Sequence, residues 1–159
     1  MRAVRPAALL LITLALVFAG CGSSDSGATP VSCLVPAAAY VKALGSAPGA
    51  VRLAGETPIS DCLVKNQSGG DLADVGASLV RAATLLSAAA QKDPGGEQTL
   101  RLGYLVGAVQ AGASETSGIH TDLERRIQAT ARYAKPAPRG ARSFALAYAR
   151  GYAAGRSGG

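Results

Sequence analysis

The chain has no tryptophan, one histidine, one methionine and two phenylalanines among its 159 residues. Met1 and Phe18 fall in the first 20 positions, so only Phe144 remains beyond them. That excludes an interior of large aromatic residues and leaves Ala, Leu, Val, Ile, Gly and Tyr, a set that lets helices approach closely. Each helix then buries modest apolar area at about 25 cal/mol per Å², which makes a covalent staple more useful. A single histidine and three cysteines offer little to a metal centre that needs several nitrogen or sulfur ligands. No metal and no cofactor is expected. The chain also lacks a Gly-x-Ser-x-Gly elbow, a Gly-rich phosphate loop ending in Lys, and the Ser-x-x-Lys, Cys-x-x-Cys and His-Glu-x-x-His patterns. These absences lean the reading away from an enzyme.

Acidic residues are missing from one end. From Cys21 through Glu124 there are six basic and ten acidic side chains, whereas from Arg125 onward there are eight basic and none acidic. The formal net charge of +6 conceals this polarity, and it includes Arg2 and Arg5 at the start of the chain.

Those two arginines precede an unbroken apolar run over residues 7–18, and Ala19 and Gly20 lead to Cys21. A positive start, an apolar middle and small residues at the end form an export signal. The run has 12 residues, short of the roughly 20 that a membrane-spanning helix needs, so cleavage is expected. Phe18-Ala19-Gly20-Cys21 resembles the lipobox of bacterial lipoproteins, with Phe18 the one departure from its preferred residues. The resemblance covers residues 1–21 and implies that residues 1–20 are removed and that Cys21 carries a diacylglyceryl thioether. It places the protein on the outer face of the cell membrane. Gly22 carries no inner-membrane retention signal by the same resemblance, so the outer membrane is a further destination in a cell that has two. Two or more acyl chains hold a protein stably where one holds it marginally.

After cleavage, the length suits one domain. Residues 21–32 are small, polar and aperiodic, as in a flexible tether, with a reach of about 18 Å for ten residues. With Cys21 lipidated, Cys33 and Cys62 are left as a pair in an oxidising compartment. A disulfide between them would stabilise the fold by roughly 3 to 4 kcal/mol in the chain-entropy model; two thiols, or a metal pair short of further ligands, are the alternatives. Asn66-Gln67-Ser68 matches a glycosylation sequon, to which a bacterial lipoprotein gives little meaning.

The fold class expected over residues 33–159 is all-α, a bundle of four or five short helices with a loop-rich, disulfide-stapled N-terminal segment. Pro36–Leu44 suits a short helix. Glycines and prolines punctuate residues 45–70, leaving at most a short helix around Cys62. Asp71 suits a cap for a helix whose apolar residues Leu72, Val75, Leu79, Ala83, Leu86 and Ala90 recur at three- and four-residue spacing. Asp93-Pro94-Gly95-Gly96 stops it. A helix from Glu97 to Ala113 carries Gly103, Gly107 and Ala111 four residues apart. Internal glycine costs roughly 1 kcal/mol against alanine, so this stripe is expected to pack against another backbone. It resembles the small-x-x-x-small pattern of membrane helices, but Gln110 interrupts the apolar stretch and a buried core helix is expected. Thr121 with Glu124 fits a capping box for a helix with Ile119, Leu123, Ile127, Ala131 and Ala134 inward. Helical spacing resumes over residues 141–155.

Two candidate functional features remain. His120 stands beside Asp122 and Glu124, a combination able to act as acid, base or metal ligand, or as a hydrogen-bonded structural residue at a helix start. The terminal segment is a basic amphipathic helix, with Phe144, Tyr148 and Tyr152 at four-residue spacing and Arg139, Arg142, Arg150 and Arg156 on the opposite side. The aromatic stripe docks on the domain in one reading. In the other, the arginines meet anionic lipid or an anionic envelope polymer, each cation contributing about 1 kcal/mol near a charged surface. Nucleic acid is not an expected partner outside the cytoplasm. These features favour a lipid-anchored, non-catalytic binding module, with a small enzyme using His120 or an apolar-ligand binder as alternatives.

Overall fold

A computed structural model describes residues 28–134 and 138–159. The expected signal, Cys21 and the tether as far as residue 27 lie outside the described residues. Among the described residues the architecture is all-α, with five helices: α1 (Ala37–Ala43), α2 (Gly69–Lys92), α3 (Glu97–Ser114), α4 (Thr121–Tyr133) and α5 (Ala141–Gly158). Short 3-10 turns occur at Val31–Cys33, Leu44–Ser46, Ser60–Cys62 and Pro138–Gly140.

The folded body begins before Cys33. Thr29 is buried and accepts a hydrogen bond from Gln67 Nε2 at 3.0 Å, while Ser32 Oγ donates to Thr57 Oγ1 at 2.7 Å. The tether expected through Ser32 therefore ends earlier, because small hydroxyl side chains here find fixed partners. Cys33 and Cys62 form the expected disulfide, with a Cα–Cα separation of 5.5 Å inside the usual range. Both cysteines are buried, and Tyr40 of α1 donates its hydroxyl proton to the Cys33 carbonyl at 2.7 Å.

Ser68, rather than Asp71, caps α2: its hydroxyl oxygen accepts from the Asp71 backbone N–H at 3.1 Å. Asp71 instead occupies the first turn, where a negative charge complements the helix dipole. Gly69 and Gly70, expected in the loop, form that turn because the serine ahead of them supplies the cap. Thr121 likewise begins α4 without capping it; His120 holds the cap position, with no side-chain cap bond.

By length and composition α2 is able to cross a membrane, yet Val75, Leu79, Ala82, Ala83, Leu86 and Ala90 form a buried stripe. They face α1, α3 and α4. α3 is the central helix, with Leu102, Tyr104, Leu105, Ala108 and Val109 all essentially inaccessible and neighbours α2, α4 and α5 around it. Leu123, Ile127, Ala131 and Ala134 are buried along the inner face of α4 as expected. Ile119 is not; it lies in the preceding turn, where helical spacing does not govern direction, and is 43% exposed.

Candidate functional site: an aromatic cleft and a basic helix face

α5 lies against α3 through glycines on both helices. A Cβ placed on Gly103 or Gly107 would overlap the carbonyl oxygens of Tyr148 and Tyr152, and one on Gly151 or Gly155 would overlap those of Leu100 and Tyr104. The glycine stripe of α3 thus meets a second stripe, Gly151 and Gly155, that the expectation from α3 alone did not include. The contact ends in a polar clasp. Tyr104 Oη donates to the Gly158 carbonyl at 3.0 Å and accepts from the Val51 N–H at 3.3 Å, and Ser60 Oγ donates to the Gly159 carbonyl.

Because glycines make the contact, the aromatic residues of α5 are displaced to its edge. Phe144 is buried, while Tyr148 and Tyr152 are half-buried. Their rings stack in a ladder with centroid spacings of 5.7 and 6.3 Å and 15° between successive planes. This ladder walls a cleft of about 670 Å³ between α4 and α5. Val106 and Gln110 of α3 form the floor; Gln128, Ala131 and Arg132 of α4 face Ala141, Phe144, Ala145, Tyr148 and Tyr152 across it. The volume lies in the range of small-molecule sites, which are mostly apolar with a few placed polar groups.

One end of the cleft is closed by a chain of polar contacts. Tyr152 Oη donates to Gln110 Oε1, and Glu124 Oε1 accepts from Gln110 Nε2 at 2.9 Å and from Gln128 Nε2 at 2.8 Å. At the other end Arg132 is exposed and forms no ion pair with a described residue. Burial, followed by the neighbouring Tyr152, pushes the Tyr148 phenol up to about 12. The Tyr148 hydroxyl therefore stays protonated near neutrality, and it has no hydrogen-bond partner among the described residues.

The outer face of α5 has a different character. Arg139, Arg142, Arg150 and Arg156 are all exposed, and none pairs with a described carboxylate. Leu146 lies on that same face, 67% exposed. Arg142, Arg150 and Arg156 thus lie on one side of α5 with an apolar residue in their midst, whereas Arg139, expected on the same helix, sits in the 3-10 turn Pro138–Gly140 that precedes it, because α5 begins only at Ala141.

His120 is fully buried. Its Nε2 lies 2.7 Å from Gln67 Oε1 and its Nδ1 lies 2.9 Å from Thr116 Oγ1. The Gln67 amide is oriented by donation from Nε2 to the Cys62 carbonyl at 3.1 Å, so its Oε1 accepts from a protonated His120 Nε2. Burial holds the imidazole below its ordinary pKa, favouring the neutral ring over the cation. Ser117 and Gly118, at φ of +55° and +91°, reverse the chain between Thr116 and His120; glycine adopts such a backbone readily. Asp122 and Glu124 do not join the ring: Asp122 lies near Arg125 at 3.7 Å, and Glu124 is held by the two glutamines. The arrangement ties the turn before α4 to the disulfide region. Among the described residues no cluster of three or more His, Cys, Asp or Glu could hold a metal ion.

The cleft was not legible as a site beforehand. The aromatic spacing and Gln110 were visible, but their convergence depends on how far α4 stands from α5. No protein family, curated protein or solved structure matches the chain.

Proposed function

We propose that the protein is a lipid-anchored binding module on the outer face of a cell membrane, held by lipid on Cys21 and resting on an anionic surface through the outer face of α5. The carrying observation is the division of labour on α5. Gly151 and Gly155 dock the helix on α3, so Arg142, Arg150 and Arg156 project outward around Leu146 with no carboxylate partner among the described residues. Cations near an anionic lipid surface contribute about 1 kcal/mol each, and an exposed leucine adds apolar contact at the headgroup boundary.

The first described residues lie on the same corner of the fold as the end of α5, which supports this reading. Thr29 contacts Gln67, Gln67 contacts Cys62, and neighbouring Ser60 contacts Gly159 at the end of α5. His120 is assigned no chemistry, since both ring nitrogens are engaged by neutral partners.

Two measurements test the parts separately. Radiolabelled palmitate should enter the wild type and not Cys21→Ala; equal labelling would remove the anchor. The unlipidated chain from Gly22 onward should bind phosphatidylglycerol vesicles and not phosphatidylcholine vesicles. Arg142→Glu combined with Arg150→Glu should weaken that binding at least tenfold, a loss of about 1.4 kcal/mol or more. Undiminished binding by the double variant would overturn the surface contact.

A further inference from the structure

We propose that the cleft between α4 and α5 binds a single-chain anionic amphiphile, a long-chain carboxylate, with its apolar chain along the Phe144–Tyr148–Tyr152 ladder and its carboxylate at Arg132. This inference does not depend on the anchor or on the outer face of α5.

The shape argues for an extended ligand. The three rings span two turns of α5, roughly 12 Å along the axis, and successive planes tilt by only 15°. They therefore present a continuous apolar wall. Val106 beneath the ladder, and Ala131, Ala141 and Ala145 around the opening, add no polar group. A chain of methylenes removed from water there is stabilised by about 0.8 kcal/mol per CH₂.

The electrostatics choose the head group and its orientation. The polar side chains of the lining are not equivalent. Gln110 and Gln128 are both turned toward Glu124, each donating one amide proton to its Oε1, whereas the Tyr148 hydroxyl and the Arg132 guanidinium have no such partner among the described residues. Arg132 is the only ionised group among the described lining residues, and it has no carboxylate partner among the described residues. Glu124 lies two turns before it on α4, at the end closed by Tyr152 and Gln110. An anionic head is repelled from the Glu124 end and attracted to the Arg132 end. A carboxylate also suits guanidinium geometry, which offers two parallel N–H donors. An alkylammonium ion of equal length would meet Arg132 unfavourably.

The experiment uses the full chain, purified in a neutral detergent and irradiated with a diazirine-bearing hexadecanoic acid or the corresponding alcohol. The acid should label residues of the cleft walls, mapped by peptide mass spectrometry. Excess dodecanoate should suppress labelling at least fivefold, and dodecyltrimethylammonium should not. Arg132→Gln should reduce labelling by the acid at least fivefold and leave labelling by the alcohol unchanged. Ala145→Trp, which fills the opening, should abolish both. Arg142→Glu with Arg150→Glu should alter neither, which separates this site from the outer face. Labelling outside the cleft, equal labelling by acid and alcohol, or indifference to Arg132→Gln would overturn the proposal. Arg132 and Ala145 are both exposed, and circular dichroism of each variant reports whether the helices remain.

Discussion

α5 meets α3 and α4 in opposite ways. Toward α3 it presents glycine, and the two backbones meet with no room for a Cβ. Toward α4 it presents Phe144, Tyr148 and Tyr152, and a cleft of about 670 Å³ remains between the helices. The difference teaches how a chain poor in aromatic residues can make both a tight contact and an open one. Small residues concentrate dispersion contact and backbone proximity on one side. That frees the few large rings to line a space instead of filling a core.

The sharpest way to break the comparison is to add atoms on each side. Gly151→Val forces a side chain into the Leu100 carbonyl and the Tyr104 N–H, neither of which yields without moving α3. The expected destabilisation is about 3 kcal/mol or more, at the upper end of overpacking effects; a thermal melt followed by circular dichroism should show a fall of roughly 10 °C. Ala145→Leu on the cleft side should change stability by less than about 0.5 kcal/mol, as at an ordinary surface position. Similar melts for the two variants would abolish the distinction.

A comparable loss is expected at the disulfide. Cys33→Ser with Cys62→Ser should cost about 3 kcal/mol by freeing the unfolded chain. Urea titration measures it, and unreduced mass spectrometry of the parent should show the two-dalton deficit of the bridge. If the N-terminal segment is held chiefly by Tyr40, Gln67 and Ser32, the double variant should retain its helices at neutral pH.

A smaller loss than these two concerns His120. Its folded pKa is depressed by burial below an unfolded value of about 6.5. The unfolded chain therefore binds more protons in the window below that value, so stability is fully present above it and declines as pH falls toward the folded pKa. The melting temperature should drop between about pH 7 and pH 5. His120→Gln, which keeps a donor and an acceptor, should flatten that dependence at a cost of about 1 kcal/mol. An unchanged acid limb would locate the pH sensitivity elsewhere.

How much of this was legible depended on which residues local rules govern. The apolar stripe of α2, the stop at Asp93-Pro94, and the inner face of α4 follow from helical spacing, and each is where the pattern puts it. The cap of α2 was misread by three residues because Asp71 and Ser68 are both good capping types, and only the loop geometry lets the serine hydroxyl reach the Asp71 N–H. Ile119 was misread because a turn had begun where the pattern was extended. The aromatic stripe of α5 was visible, but its destination was not: the spacing of Phe144, Tyr148 and Tyr152 is equally consistent with docking and with lining a space.

By itself the amino-acid sequence determined the helical class, the location of most helices, the Cys33–Cys62 pairing and the gathering of arginines on one side of α5. Those properties rest on periodicity, turn chemistry and a small cysteine count, all of which act over short stretches of chain. Only the tertiary structure decided that glycines of α3 and α5 face each other, that α4 stands off far enough to leave a cleft, and that His120 is closed in by Gln67 and Thr116. Each of these depends on the distance between segments far apart in the chain. That distance is set by the joint packing of the helices and the N-terminal segment, which local periodicity does not encode.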